Sequence, residues 1–322
     1  LYGKAISEKE AYLLELKKTL SARYILILYN NAKLHWSEKN GERLNDICHI
    51  TSGLSASGLR PAADSLLASS SYIQALGQRD KWIGFKQAAL IQLAELYGDD
   101  TIHYSTSTNR FINPVEYHGQ GNMVNSLHPA LDALNKQADY YSWSGQAVKK
   151  ALLPSIKLLG GYAFRGSGIS PNGTVSGAWN DGFSNGTNNF LAGIGITWNL
   201  TNLHTGRLKE QKLIREAQST KFSQSQHERV MQAELSAGQA KITQQYQQLG
   251  KTAQAIEQSQ MAYNMYLARY KSGLITLSEL LQIQLLLEQA ENEHIEASRD
   301  YWILLGYQGA LTGDFDFLFN NL

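Results

Sequence analysis

Few side chains in this chain of 322 residues are spaced for catalysis. Glu291-x-x-His294 has the separation of a carboxylate-bridged metal half-site, but that chemistry needs a second such pair and further glutamates. A solvated helix face is the plainer reading of it. The eight histidines are scattered, and no Ser/His/Asp set stands out. Gly166-x-Gly168 lacks the following helix that a phosphate-binding loop requires. Cys48 is the single cysteine, which excludes an internal disulfide and a thiolate metal cluster. Neither an enzyme nor a cofactor is expected. What remains are two carboxylates, Asp64 and Glu279, each just after a glycine-bearing break. As first-turn residues they would complement the positive end of a helix dipole.

The two breaks are related. One runs Gly58-Leu59-Arg60-Pro61-Ala62-Ala63-Asp64-Ser65-Leu66. The other runs Tyr270-Lys271-Ser272-Gly273-Leu274-Ile275-Thr276-Leu277-Ser278-Glu279-Leu280-Leu281. Laying Gly58 on Gly273 sets Leu59 on Leu274, Asp64 on Glu279 and Ala75 on Ala290 without a gap, and Gly98-Asp99 on Gly313-Asp314. A register held over about forty residues marks an internal repeat. The chain reads as a duplicated helix–turn–helix unit. Residues 1–112 form the C-terminal part of a first repeat, and residues 113–322 a second repeat with a β-hairpin over 155–200.

Periodicity sets the elements that hold these breaks. From about Ala5 to Ile50, Leu13, Leu16, Leu20, Tyr24, Ile27, Leu28 and Leu34 recur at helical spacing. Pro61 suits the first position of a second helix, which runs to about Tyr97. Asp100 to Leu127 reads as a linker or small excursion packed on the outside of the helices. A third helix opens at His128-Pro129-Ala130-Leu131 and stops at Pro154. A fourth runs from about Gly206 to Ser272, interrupted at Gly238 and Gly250. At 1.5 Å per residue its roughly 65 residues would span about 100 Å, the length of a coiled coil or bundle helix. The fifth, Leu277 to Leu311, returns antiparallel to it.

Between the third and fourth helices lies the one convincing β signal. Ile156, Leu158, Tyr162 and Phe164 alternate with Lys157, Gly161, Ala163 and Arg165. Phe190, Ala192, Ile194, Ile196, Trp198 and Leu200 alternate with Leu191, Gly193, Gly195, Thr197 and Asn199. Such alternation fits a half-buried strand or a lipid-facing barrel strand, and Tyr162, Phe164, Phe190 and Trp198 sit where an interfacial aromatic girdle belongs. Gly166 to Asn189 reads as the connecting loop, with Asn172-Gly173-Thr174 and Asn185-Gly186-Thr187 as turn residues. An isolated apolar hairpin would leave backbone groups unpaired in hydrocarbon, so further strands must complete it. No apolar run is long enough for a transmembrane helix, which leaves a barrel open. A net charge of +1 gives no electrostatic footprint for nucleic acid or for an acidic membrane surface.

Helix, hairpin, helix, turn, helix, given twice, resembles the outer-membrane efflux factors of the TolC type. The motifs that carry the likeness are His128-Pro129-Ala130-Leu131, Leu152-Leu153-Pro154-Ser155-Ile156, Gly195-Ile196-Thr197-Trp198-Asn199-Leu200, Arg269-Tyr270-Lys271-Ser272-Gly273-Leu274 and Leu311-Thr312-Gly313. The resemblance implies a mainly α protein with a β-barrel part, in which long antiparallel coiled-coil helices form a periplasmic α-barrel. It also implies a homotrimer in the outer membrane of a Gram-negative bacterium, in contact with its lipid and docked to a periplasmic adaptor and an inner-membrane transporter. An earlier helix and hairpin of the first repeat would precede Leu1. The implied function is a passive exit duct for an efflux pump or a type I secretion system. A periplasmic adaptor or coiled-coil scaffold without a pore is the alternative, against which the alternating strands argue.

The resemblance also gives the breaks a role at the periplasmic tip. By position Asp64 and Glu279 match acids that ring the constriction, where three symmetry copies would attract cations and repel one another. Gln282 stands where a second acid is common. Tyr270 matches a position whose hydrogen bonds hold the closed state, with Arg60 as the candidate partner cation. Gly58, Leu59, Gly273 and Leu274 resemble the adaptor-contacting tip motif, and the glycines also suit a left-handed turn.

Overall fold

The computed structural model describes residues 2–98, 107–119, 128–170, 172–175, 177–184 and 186–322. Those residues form long helices and one two-stranded antiparallel sheet. The linker expected over 100–127 is described only at 107–119, and Asp99 and Asn185 also lie outside the described residues. Two compact units emerge, one built from 134–223 and the other from 2–133 with 224–322.

The helical unit is organised by α1 (Tyr2–Ala56) and α2 (Ala62–Tyr97), an antiparallel hairpin. Its pairing is marked by Asn30 Nδ2 donating to the Phe85 carbonyl at 3.1 Å and Ser52 meeting Ser65 at 3.0 Å. Ile27 and Leu28 of the expected apolar face are fully buried, but Leu13 and Leu16 are 43% and 38% exposed. The register accounts for this. Arg23 already bonds Gln92 near the end of α2, so the first turns of α1 extend past their hairpin partner.

The short α3 (Asn109–Ile112) leads a strap that packs on the last long helix, α7 (Leu277–Thr312). Trp302 Nε1 donates to the Phe111 carbonyl at 2.9 Å, and the Tyr301 hydroxyl donates to the Val115 carbonyl at 2.7 Å. Each bond satisfies a polar tip on a large buried ring, which is how Trp and Tyr enter cores. Around them Ile25, Leu28, Trp36, Ile242, Leu249 and Phe315 close an apolar cluster.

The other unit contains most of α4 (Pro129–Ala151), β1 (Ser155–Gly166), the short α5 (Asp181–Ser184), β2 (Gly186–Thr197) and the start of α6 (Asn202–Lys271). Gly145 of α4 lets the helices approach, since a Cβ there would already touch Leu213 at 3.6 Å. α6 runs unbroken through Gly238 and Gly250, contrary to the expected interruptions. A helical glycine costs only about 1 kcal/mol relative to alanine, which packing readily offsets. At Gly238 the missing side chain is useful: a Cβ would come within 2.9 Å of Gln308 Oε1. The chain closes with α8 (Asp316–Asn321).

Candidate functional site: two helical tips and an exposed strand pair

The internal repeat is visible in the backbone. α2 and α7 are each 36 residues long and coincide under the offset that lays Gly58 on Gly273. Gly58 and Gly273 have φ of 72° and 77°, and Gly98 and Gly313 have 68° and 80°. At the first tip the Leu59 amide donates to Leu54 at 2.9 Å and the Gly58 amide to Ser55 at 3.0 Å. At the second, Leu274 donates to Arg269 and Gly273 to Tyr270, both at 3.0 Å. Each tip is therefore a Schellman stop, whose left-handed residue favours glycine. In that motif the following residue usually packs back on its helix. Here Leu59 and Leu274 are 71% and 70% exposed. Two equivalent leucines stand out at the two tips.

The tips touch through equivalent positions. Arg60 donates to the carbonyl of Ile275, its counterpart in the repeat, and its guanidinium lies 5.1 Å from the centre of the Tyr270 ring. Tyr270 is fully buried, and its hydroxyl meets Thr51 Oγ1 at 3.1 Å. Leu44, Ile47, Ala68, Tyr263, Leu277 and Leu280 pack around it. Arg60, Tyr270 and Thr51 thus join α1 and its turn to the end of α6 by one hydroxyl pair, one cation–ring contact and one charge-assisted hydrogen bond.

The two acids are not equivalent. Glu279 closes a capping box: its Oε2 accepts from the Thr276 amide at 2.7 Å and hydroxyl at 2.8 Å, while the Glu279 amide donates to Thr276 Oγ1. The Thr276 amide and hydroxyl, with the more distant Arg269 charge, hold the Glu279 carboxyl below the usual carboxylate range. Asp64 occupies the first turn of α2, where Pro61 supplies no side-chain cap, and it is half-buried. Gln282 is exposed one turn beyond Glu279.

In the strand unit, β1 and β2 pair without a bulge from Ser155↔Thr197 to Gly166↔Gly186. That register brings the apolar positions together: Ile156 faces Ile196, Leu158 faces Ile194, and Tyr162 faces Phe190. All six are at least 70% exposed. Phe164 stacks on Phe183 at 6.5 Å. Trp198 lies just past β2, its indole N–H donating to the Leu152 carbonyl at 3.0 Å. Asn172 Oδ1 accepts from the Thr174 hydroxyl at 2.8 Å, the turn chemistry expected there. Among the described residues no helix is long and apolar enough to cross a membrane.

Sequence reasoning missed a set of buried charges between α1, α2 and α7. Lys33 is 2% exposed and pairs with Glu296 at 2.6 Å and with Asn292. The rings of Tyr29, Trp36 and Trp82 surround its ammonium at 5.2, 5.4 and 5.4 Å. Arg43 makes a two-pronged bond with Glu291 at 2.6 and 3.0 Å. In sequence, the only signal was a lysine spaced between aromatic residues on an apolar stripe. Glu291 is thereby committed to Arg43, while the His294 ring nitrogens meet Thr252 Oγ1 at 2.8 Å and the Ile112 carbonyl at 3.2 Å. Burial holds that imidazole below its ordinary pKa despite the Ile112 carbonyl. The pair that resembled a metal half-site is a set of structural contacts.

A family model described as "Outer membrane efflux protein" matches residues 122–303, more than half of the chain. No curated protein sequence matches. Among solved structures, CusC, described in terms of folding and transmembrane channel formation, superposes with a TM-score of 0.77 at 14% identity, covering 98% of this chain and 70% of its own. The outer membrane protein VceC from Vibrio cholerae gives 0.76 at 16%, covering 97% and 73%. The open state of the Neisseria gonorrhoeae MtrE outer membrane channel gives 0.75 at 15%, covering 97% and 69%. These likenesses establish the fold.

Proposed function

Since the chain belongs to the outer membrane efflux protein family, we propose that it is a passive duct through the outer membrane, closed at its periplasmic end by the two tips. The observation that carries this reading is the hairpin: three apolar cross-strand pairs lie exposed on one face, with nothing packed against them among the described residues. Water would penalise that face, whereas lipid would cover it. Ten residues separate the level of Trp198 from that of Phe164. At about 3.3 Å per residue and a tilt of 35–45° the separation is roughly 25 Å along the membrane normal, the height of an outer-membrane apolar band with aromatic girdles at its edges. Tyr162 and Phe190 belong to the same girdle as Phe164.

Two free strand edges require neighbours, so the hairpin joins others in a closed barrel made by a homotrimer. The exposed Leu59 and Leu274, held by Gly58 and Gly273, supply an apolar docking point for a periplasmic adaptor, which would connect the duct to an inner-membrane transporter. Arg60 and Tyr270 act as the latch, with Asp64, Glu279 and Gln282 at the constriction. Glu279 serves its own helix as well, so its charge is fixed in place rather than mobile.

The test is conductance of the purified trimer in planar bilayers. Tyr270→Phe with Arg60→Ala should raise the open fraction several-fold, because the link to Thr51 and the Ile275 carbonyl is lost. Glu279→Gln should weaken block by divalent cations. A latch variant that stays as closed as the wild type would remove the tips from the gate, and a protein that forms no pore in any variant would end the duct reading.

A further inference from the structure

Cations gather where the strands give way to helices. Lys149 and Lys150 lie in the last turn of α4, and Arg207 and Lys209 lie in the second turn of α6. All four side chains are exposed. The one acid among them is Glu210, whose carboxylate is 3.9 Å from Lys149 Nζ, too long for a firm bond. The α6 cations point away from its packed face, which is formed by Gly206, Leu213 and Ala217 with Glu210. Lys150, Arg207 and Lys209 have no acidic partner among the described residues.

Apolar residues adjoin them on the strand side. Trp198 is 52% exposed, Leu153 67% and Leu200 59%, and the Trp198 indole is anchored on Leu152. Leu208, 54% exposed, lies between the two α6 cations. Lys150 precedes Pro154 by four residues and Arg207 follows Asn202 by five. At 1.5 Å per helical residue, both cationic positions fall within about 10 Å of the helix ends that adjoin the strands, roughly one Debye length. A tryptophan anchor, apolar side chains and a layer of unpaired cations one turn away are the arrangement that meets a bilayer's headgroup region.

We propose that this cluster binds the phosphate groups of anionic glycerophospholipids in the membrane leaflet that adjoins the helices, so that the duct gathers acidic lipid around its base. The inference rests on the reading that the hairpin lies in the membrane, and adds to it a lipid class. Each lysine or arginine near an anionic surface contributes about fivefold in affinity.

The experiment uses the full chain reconstituted in phosphatidylethanolamine vesicles with brominated phosphatidylglycerol or brominated phosphatidylcholine as the probe. Quenching of Trp198, taken as the difference from a Trp198→Phe variant, reports which lipid lies beside it. Wild type should prefer phosphatidylglycerol at least fivefold. The combined variant K149Q/K150Q/R207Q/K209Q should fall to near parity, and K150Q/K209Q should lie between. Replacing Lys221, Arg229, Lys241 and Lys251, farther along α6, should leave the preference intact. Equal quenching by both lipids in wild type overturns the proposal, as does loss of the preference when inorganic phosphate is added at constant ionic strength, which would assign the cations to free anions. Failure to enter the vesicles at all would instead overturn the membrane reading.

Discussion

Lys33 permits a sharp test of what buried charge does in the helical unit. Its ammonium is held by Glu296 and Asn292 inside three aromatic rings. Burial pushes the Lys33 ammonium below the ordinary lysine range, with the Glu296 hydrogen bond and charge opposing. Burial pushes the Glu296 carboxyl up, but the Lys33 and Tyr29 hydrogen bonds with the Lys33 and Arg299 charges outweigh it, leaving the carboxyl low. The two partners are unequal. Without Lys33, Glu296 keeps Arg299 at 2.6 Å and the Tyr29 hydroxyl at 2.7 Å. Without the Glu296 charge, Lys33 keeps Asn292, the rings and at most the neutral carbonyl oxygen that Glu296→Gln would leave. Removing one member of a buried pair costs about 3–5 kcal/mol. With Glu296 one-third exposed, solvent reduces that to about 2–3 kcal/mol for Glu296→Gln. Lys33→Met fills the same space without a charge to desolvate, and should lie within about 1 kcal/mol of wild type or above it.

Urea unfolding followed by tryptophan fluorescence reads both, because Trp36 and Trp82 flank the site. The pH dependence adds a check of sign. In the folded state Lys33 releases its proton below the unfolded value, so between the two the unfolded chain holds more protons and this group's contribution to stability rises with pH. The advantage of Lys33→Met over wild type should therefore shrink as pH climbs toward 10.5. Tyr29, pushed up by burial and by Glu296, works in the opposite direction, which is why the comparison is made between the two proteins. A Lys33→Met cost as large as that of Glu296→Gln would refute the desolvation argument and make the ion pair a net stabiliser.

Three further outcomes follow from the tips and the strands. Thr276→Ala should destabilise the start of α7 by about 1 kcal/mol, read as faster amide exchange over the first turn. The low folded pKa of Glu279 means that its share of the cap is complete above the unfolded carboxylate value near 4.5 and is lost as pH falls through the folded one, so protection there, taken relative to the intrinsic exchange rate at each pH, should fall in acid. On β1, Leu158→Arg should cost the inserted barrel about 2–4 kcal/mol, whereas Leu159→Arg on the opposite face should be mild and alter ion selectivity instead. Equal effects at the two neighbours would mean that β1 does not present a lipid face.

The parts of the fold legible in the sequence are those set by local rules. Glycine at left-handed positions and helical periodicity located the ends of α2 and α7 to within a residue, and strict alternation located the hairpin, but α1 runs on to Ala56, past the end expected near Ile50. Leu13 and Leu16 were misjudged because periodicity defines a stripe but not how far its partner helix extends. Gly238 and Gly250 misled because propensity at one residue is weak against packing along 70 residues of helix. The Lys33–Glu296 and Arg43–Glu291 pairs join residues about 250 positions apart, and no local pattern carries that information. The tip acids were legible in position, but the capping box at Glu279 depends on Thr276 turning its hydroxyl back, a matter of geometry.

The bond from Arg60 to Ile275 joins two positions that occupy the same place in the duplicated unit. Duplication alone would give both tips the same residue there, and two arginines would repel while two isoleucines would leave the carbonyl unserved. The contact exists because the halves have diverged. Mutations at this position are therefore not interchangeable between the copies: exchanging Arg60 and Ile275 would retain composition, repeat and register, yet reverse which tip of the seam gives and which receives.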